Sequence, residues 1–396
     1  MSILYRVYCR VYQQVFRLAA YFLPWRKPEI LESAGELAAV LRAKGIQRVL
    51  LVTDAGILKV GLERELVATL EATGMVVVCY GDTEPNPTIG NIEEARALYL
   101  EQDCQALIAL GGGSPIDCAK GVGARLARPG KTIPQLRGQL KVLRRLPLLV
   151  AIPTTAGTGS ETTLAAVVKD PETGEKYALN DPALIPRYAL LDPRFTRSLP
   201  PHITAATGLD ALTHAVEAYI GGENTAATRA DALSAAALVF GNLKAAYDDG
   251  DDLEARRDMQ QAAFLAGAAF TRAYVGYVHA LAHQLGGRYG TPHGLANAVL
   301  LPYVLEAYGT AAERPLAEMA EVLDLGGARD LIAAIRRLSD ELGIPRQLPE
   351  LQEADIALLA RRAAHEANPL YPVPKIMSAA ELEGLYRTIL VREGES

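Results

Sequence analysis

Apolar residues between positions 30 and 200 follow two alternating patterns. Short continuous apolar runs predict strands at residues 49–53, 75–80, 106–110 and 148–152. Segments with apolar positions at helical spacing predict helices at residues 29–44, 61–73 and 92–101. Because strands with continuous apolar runs are typically buried on both faces, the alternation predicts a parallel sheet with helices on both faces.

The pattern changes twice further along the chain. Residues 167–178, with Pro171 and Gly174 near the centre, predict a β-hairpin inserted into the α/β region. After residue 200 the chain is rich in Ala and Leu at 3.6-residue spacing, which predicts helices that include residues 227–247, 253–271 and 331–342. We therefore expect an α/β domain at residues 29–200 and an all-helical domain at residues 201–396.

Residues 1–28 form a separate basic segment. They contain no acidic residue, and Arg6, Arg10 and Arg17 recur at helical spacing among apolar residues. This pattern predicts a basic amphipathic helix that ends near Pro24. The arginines interrupt the apolar residues too often for a bilayer span, and the segment lacks a signal-peptide cleavage site. Two interpretations stay open: the helix packs on the protein or on another subunit, or it makes a peripheral membrane contact.

Composition narrows the class of protein. The 396 residues are 50% hydrophobic and 22% charged, as in ordinary soluble globular proteins. The net charge of -6 and the lack of a basic stripe in the body of the chain argue against a nucleic-acid partner. The four cysteines lack metal-binding spacing, and Cys79 and Cys104 lie in apolar runs, as buried free thiols do. We therefore expect a reducing compartment and a cytoplasmic protein.

A glycine-rich loop follows the third predicted strand. Gly111, Gly112 and Gly113 lead into Ser114, which we predict to be a helix N-cap, with Asp117 in the position of a capping box. A strand, a glycine loop and a helix N-terminus together favour a phosphate, because free N–H groups and the helix dipole face the anion. The alternative is a plain glycine turn before a capped helix.

Two more features suggest a nucleotide. The fourth predicted strand runs into residues 153–163, a loop whose six hydroxyl side chains include Thr154 and Thr155. Such a loop lines a nucleotide site or satisfies its own backbone, and the glycine loop favours the nucleotide. Asp54, at the end of the first strand, is placed to bind a ribose diol and would repel a 2′-phosphate, which favours NAD over NADP. Alone, such an aspartate is more often a turn residue or a helix cap.

Five polar residues, four of them on predicted helices and the fifth in a turn, predict a divalent-metal site. Asp210 and His214 are four residues apart and project from one helix face, and His279 and His283 repeat that spacing. His293 follows ten residues later. Polar side chains on apolar helices are costly unless satisfied, and a carboxylate with several imidazoles suits such an ion. Spacing alone does not decide which histidines bind it.

Longer motifs resemble those of a known family. They are PNPT at 85–88, GGGSPIDCAK at 111–120, PTTAGTGSE at 153–161, GLDALTHAVEAY at 208–219 and HALAHQLGGRYGTPHGLANAVLLP at 279–302. On these segments the sequence resembles the iron-containing (group III) alcohol dehydrogenases, over roughly residues 30–390. The resemblance implies an NAD-binding α/β domain and an all-α metal-binding domain, an architecture like that of dehydroquinate synthase. It does not extend to residues 1–28.

The resemblance assigns roles that spacing leaves open. It implies that Fe(II), with Zn(II) as the alternative, is bound by Asp210, His214, His279 and His293. His283 matches a histidine near the nicotinamide that is linked to proton transfer. Contacts with NAD are implied at Asp54, Asn86, Gly112, Gly113, Ser114, Asp117, Thr154, Thr155 and Lys176.

The implied reaction is hydride transfer between the carbon of a small-molecule alcohol or aldehyde and the nicotinamide, while the metal polarises the substrate oxygen. We expect residues 270–278 to contribute to the substrate pocket, and a homo-oligomer, most simply a dimer. The alternatives are an NAD- and metal-using lyase of the dehydroquinate-synthase type and a non-catalytic assembly or membrane scaffold that keeps the fold. The intact set of metal residues argues against both.

Overall fold

A computed structural model describes residues 1–20 and 22–391 of the chain. In this part the helices are α1 Ile3–Ala20, α2 Ala34–Ala43, α3 Ala55–Val60, α4 Arg64–Glu71, α5 Ile89–Glu101, α6 Gly113–Ala127, α7 Pro201–Ile220, α8 Ala226–Asp248, α9 Leu253–Ala273, α10 Tyr277–Tyr289, α11 His293–Tyr308, α12 Thr310–Val322, α13 Ala328–Glu341, α14 Glu353–Ala367 and α15 Ala379–Thr388. The strands are β1 Glu29–Leu31, β2 Arg48–Val52, β3 Val76–Tyr80, β4 Ala106–Gly111, β5 Gly138–Gln139, β6 Leu148–Pro153, β7 Ala165–Lys169, β8 Lys176–Asn180 and β9 Tyr188–Leu190.

The chain divides into two compact units. One is Pro24–Leu199, and the other combines Met1–Leu23 with Pro200–Ser396. The first unit contains every strand named above, and the second is helical.

The first unit is built on a parallel six-stranded sheet in the order β1-β9-β6-β4-β2-β3. Alternate residues of its central strands enter separate apolar clusters. Leu50 and Leu107 belong to one cluster, whereas Leu51 and Ile108 belong to the other. The sheet is therefore buried on both faces, which confirms the parallel sheet predicted from the continuous apolar runs.

The hairpin prediction is also confirmed. Strands β7 and β8 pair antiparallel, and β5 joins β8 to complete a separate three-stranded sheet.

The predicted helix at residues 29–44 was wrong in its first turn. Glu29–Leu31 forms β1, which pairs in parallel with β9, and α2 begins only after Ser33. The Ser33 side chain caps α2 by accepting a hydrogen bond from the Glu36 amide. A strand of three residues is too short to show a period of its own, so sequence reasoning also missed β9.

The helical unit confirms the predicted helices after residue 200, including α8, α9 and α13. Helix α7 buries every residue from Gly208 to Ile220, which makes it the central helix of the unit. None of the helices in the described residues is both long and apolar enough to cross a membrane.

The four cysteines are free thiols. Cys104 is buried as predicted, but Cys79 is exposed, since it lies on β3, the edge strand of the sheet. Its apolar neighbours in sequence therefore gave a wrong expectation of burial.

Candidate metal centre and nucleotide loops

Three helices bring four of the predicted residues together. Asp210 and His214 lie on α7, His279 lies on α10, and His293 is the first residue of α11. One ligand atom from each residue lies within 4.8 Å of all the others. Asp210, His214 and His279 are buried, and His293 is half-buried. The cluster is therefore largely buried, and solvent reaches it at His293.

Close helix packing makes this cluster possible. A Cβ atom on Gly294 would overlap the carbonyl oxygen of Ala206, so the first turn of α11 reaches the backbone of α7 only because residue 294 is glycine. This close approach brings His293 within 3.6 Å of Asp210, measured from Nε2 to Oδ1.

Glu217 fixes the orientation of His279. Its buried carboxylate accepts hydrogen bonds from the amides of Gly276 and Val278, both at 2.8 Å, and lies 2.6 Å from Nδ1 of His279. Burial raises the pKa of Glu217 to about 7, although hydrogen bonds with the backbone of Gly276, Val278 and His279 oppose the rise. With Nδ1 engaged by the carboxylate, the Nε2 lone pair of His279 faces the cluster.

The cluster also fits a metal ion by its chemistry. The Asn297 amide nitrogen lies 2.7 Å from Asp210 Oδ1, 3.2 Å from His279 Nε2 and 3.1 Å from His293 Nε2. The Asn297 amide has two hydrogens for these three acceptors, so one lone pair stays unmatched, and a cation among the ligand atoms would engage all of them. One carboxylate with three imidazoles is a donor set that suits Fe(II) or Zn(II).

Burial keeps the histidines in the form that binds metal. Desolvation lowers the pKa of His279 well below its ordinary value and lowers that of His293 to about 4. Neutral imidazoles keep a lone pair for an ion. The ring of His214 stacks on that of Phe270, at 4.1 Å, and also packs against that of His279, at 4.5 Å, so packing fixes its orientation.

His283 lies beside this cluster but outside it. Its ring centre is 5.3 Å from that of His293, and its Nδ1 is 2.6 Å from a Glu366 oxygen. Glu366 also accepts hydrogen bonds from Gln284, at 2.8 Å, and from the Tyr371 hydroxyl, at 2.9 Å. Desolvation lowers the pKa of His283, but the charge and hydrogen bond of Glu366, together with the charges of Asp210 and Glu217, raise this pKa above its ordinary value.

In the α/β unit, the two predicted nucleotide loops lie side by side. A Cβ atom on Gly112 would lie 3.5 Å from the Thr155 methyl group, and one on Gly113 would lie 3.5 Å from that of Thr158. Gly111 has a φ of 153°, a backbone conformation that favours glycine. The glycine loop, residues 111–113, therefore packs directly against residues 153–163, the hydroxyl-rich loop.

The predicted cap of α6 was wrong. The helix begins at Gly113 with Gly112 as its N-cap, and no side chain caps it. The Ser114 hydroxyl instead accepts a hydrogen bond from the amide of Asn86, at 3.1 Å. Asn86 has a φ of 59°, so it turns the chain sharply beside the loop. Ser114 thus links the turn at Asn86 to the N-terminus of α6.

Asp117 does not complete a capping box either. Its carboxylate accepts hydrogen bonds from the Ser160 hydroxyl, at 2.7 Å, and from the Val167 amide, at 3.0 Å. The residue therefore ties α6 to the hydroxyl-rich loop and to β7. Lys176 lies exposed at the start of β8, opposite Lys169 in the hairpin.

The remaining predicted residues lie at the carboxyl ends of neighbouring strands. The Thr154 amide donates to the Gly111 carbonyl at 3.0 Å, and the buried Thr155 hydroxyl oxygen has no hydrogen-bond partner in the described part of the chain. Such an unsatisfied hydroxyl beside glycine amides fits a phosphate group. Asp54 caps α3 by accepting from the Ile57 amide at 3.0 Å, the helix-cap role that the sequence left as an alternative.

Comparison with known proteins identifies the family. Residues 30–193 match the iron-containing alcohol dehydrogenase family, and residues 204–390 match the Fe-containing alcohol dehydrogenase family, C-terminal. The chain is 38% identical to 1,3-propanediol dehydrogenase of Klebsiella pneumoniae over 387 residues, covering 94% of this chain and 99% of that protein. The chain belongs to the iron-containing alcohol dehydrogenase family.

Two other relatives agree with this assignment. Alcohol dehydrogenase 4 of Saccharomyces cerevisiae is 42% identical over 340 residues, covering 84% of this chain and 88% of that protein. The structure of sulfoacetaldehyde reductase from Bifidobacterium kashiwanohense in complex with NAD+ superposes with a TM-score of 0.85 at 28% identity, covering 93% and 98% of the two chains. As a member of the iron-containing alcohol dehydrogenase family, the protein is an NAD-dependent alcohol oxidoreductase, and neither the lyase nor the scaffold alternative is favoured.

Sequence reasoning missed three polar residues, two at the metal centre and one beside it. Glu217 lies three residues after His214 on α7, so its helical spacing was a signal that went unused. Asn297 lies four residues after His293 on α11 and carried the same signal. Glu366 lies 83 residues from His283, and nothing in the local pattern points to it.

Proposed function

We propose that this oxidoreductase holds Fe(II), with Zn(II) as the alternative, on Asp210, His214, His279 and His293, and interconverts a small-molecule alcohol and its aldehyde with NAD. The observation that carries the proposal is the convergence of four ligand atoms within 4.8 Å, with Glu217 orienting His279 from behind. When bound, the metal supplies a Lewis acid for the substrate oxygen and NAD supplies the hydride acceptor.

The protein's own side chains have three tasks in this reaction. Glu217 holds His279 in the tautomer that leaves Nε2 free. Phe270 stacks on His214 and offers an apolar surface beside the ligand set, in keeping with the expectation that residues 270–278 line the substrate pocket. His283, backed by Glu366, accepts the alcohol proton or returns it, as an imidazole near its pKa does best.

The nucleotide loops are the proposed NAD site. Gly112, Gly113 and the Thr155 hydroxyl are placed for the diphosphate, while Ser114 and Asn86 shape the entrance to the helix N-terminus. Further proposed contacts are Asp54, which favours NAD over NADP, together with Asp117, Thr154 and Lys176.

A substrate panel tests this function. Protein loaded with Fe(II) or Zn(II) is assayed by NADH absorbance on alcohols and aldehydes of about two to sixteen carbons. We expect continuous NADH formation from at least one alcohol, loss of that activity on chelation, and recovery on adding the metal back. A protein that binds NAD and metal but never accumulates NADH would contradict the proposal and favour a lyase.

We also propose that the enzyme acts in the cytoplasm as a homo-oligomer, most simply a dimer. The four free thiols support a reducing compartment. Light scattering on the metal-loaded protein tests the assembly, and a monomer at micromolar concentration would contradict it.

A further inference from the structure

Helix α1 packs on the helical unit through hydrogen bonds from two polar side chains, Arg10 and Gln13. Cys9 and Gln13 are buried beneath the helix. The Gln13 amide and the Arg10 guanidinium donate hydrogen bonds of 2.7–3.1 Å to backbone carbonyl oxygens of residues 369–374. Because side-chain donors satisfy carbonyls that water would otherwise reach, these hydrogen bonds hold α1 in one orientation.

The opposite face of α1 is apolar and exposed. Its large apolar side chains have 53–82% of their surface exposed, and they are Ile3, Leu4, Val7, Tyr8, Val11, Val15 and Leu18. A surface helix normally turns its apolar stripe toward the protein, so α1 has the reverse arrangement. From Ile3 to Leu18 the exposed stripe extends about 24 Å along the helix. A contiguous apolar stripe of this length indicates a partner.

The charges around the stripe indicate what kind of partner it is. Residues 1–28 hold five arginines and lysines and no acidic residue, although the whole chain has a net charge of -6. Arg6 and Arg17 are exposed along one side of the stripe, and Tyr5 and Tyr12 are exposed along the other. Arginine and tyrosine beside an apolar stripe match the headgroup layer of an anionic bilayer. A second copy of α1 offers no acidic side chain to pair with these arginines.

We propose that the exposed face of α1 docks on the surface of an anionic lipid bilayer. The apolar stripe enters the boundary between headgroups and acyl chains, while Arg6 and Arg17 meet lipid phosphates. Arg10 and Gln13 keep the helix attached to the protein, so the enzyme is held at the surface without crossing it. This inference goes beyond the proposed reaction and does not depend on it.

Vesicle flotation of the full chain tests the proposal. Vesicles of phosphatidylcholine alone are compared with vesicles containing about 30% phosphatidylserine. We expect at least about tenfold tighter binding to the anionic vesicles, weakened when salt rises from about 0.05 to 0.5 M. No binding to either vesicle would overturn the proposal.

Substitutions on the stripe locate the contact. Leu4→Gln, Val11→Gln and Leu18→Gln together should weaken vesicle binding at least about tenfold, because the apolar surface that enters the bilayer is lost. These side chains are exposed and glutamine is a good helix former, so the fold and α1 should persist, as circular dichroism can verify. The single change Arg6→Gln should weaken binding about fivefold.

A matched control makes the same kind of change elsewhere. Val60→Gln, Leu100→Gln and Val322→Gln also replace exposed apolar side chains, and they should leave vesicle binding unchanged. Equal loss in the control and stripe variants would overturn the proposal. So would self-association in the wild type that the stripe variant abolishes while neither binds vesicles, since the face would then pair with a second copy.

Discussion

Two histidines on one helix have closely similar local partners and opposite properties. His279 and His283 lie four residues apart on α10, and each has its Nδ1 atom 2.6 Å from a glutamate oxygen. The pair of His279 and Glu217 is buried, with 3% and 1% of the side-chain surface exposed, whereas His283 and Glu366 have 43% and 28% exposed. The pKa of His279 is lowered well below its ordinary value, and that of His283 is raised.

A carboxylate partner therefore does not by itself fix the role of a histidine. Burial and the facing rings of the other histidines keep His279 neutral, so its hydrogen bond to Glu217 serves to present a lone pair. His283 faces carboxylates and solvent, so its hydrogen bond to Glu366 favours the charged form. The pair of His279 and Glu217 suits metal binding, and the pair of His283 and Glu366 suits proton transfer.

The largest expected effect comes from removing the buried histidine. His279→Ala should lower kcat/KM for alcohol oxidation by at least about a thousandfold, because the Lewis acid is lost with its ligand. Steady-state NADH formation measures the change. His202→Ala, an exposed histidine on α7, serves as the control and should stay within about twofold of wild type. Comparable losses in both variants would indicate general damage to the fold.

Removing the exposed histidine should have a smaller effect. His283→Ala should lower kcat by about a hundredfold, because a positioned proton acceptor typically contributes that much. The same assay measures it, in protein whose metal content has been determined beforehand. An unchanged kcat and pH profile would contradict a proton-handling role for His283.

Replacing each of the two glutamates by glutamine tests whether the two histidine–glutamate pairs differ in their effect on metal affinity. Glu217→Gln should weaken metal affinity about 10- to 100-fold, since the partner that orients His279 loses its charge. Glu366→Gln should leave metal affinity within about threefold, because the hydrogen bonds of Glu366 in the described residues go to His283, Gln284 and Tyr371 and not to the ligand set. Competition with a chromogenic chelator measures both affinities. Equal weakening by the two changes would contradict the distinction between the pairs.

The smallest expected effect is a displacement of the pH profile. Glu366 raises the pKa of His283 against a desolvation that lowers it, so Glu366→Gln should let this pKa fall. Alcohol oxidation needs the neutral imidazole as proton acceptor, so the acidic limb of kcat/KM should move to lower pH. Profiles of the wild type and the variant, each loaded with the same metal, test the direction. A limb that moves to higher pH would contradict the assigned cause.

Much of the fold was predictable because its signals are local. Continuous apolar runs predict strands β2, β4 and β6, and the four-residue spacing of Asp210 and His214 predicts their shared helix face. The cap of α6 was mispredicted because Ser114 bonds to Asn86, which is distant in sequence. Glu366 was missed for the same physical reason, since a contact formed only by tertiary packing has no period in the chain.

Metal content in two variants shows whether His279, and not His283, binds the ion. His279→Ala and His283→Ala are purified, loaded anaerobically with Fe(II), desalted and analysed for metal per protein chain. The division of roles predicts that His279→Ala retains less than about a tenth of the wild-type metal, while His283→Ala retains nearly all of it. Loss of metal from His283→Ala would contradict the account, because His283 would then belong to the ligand set.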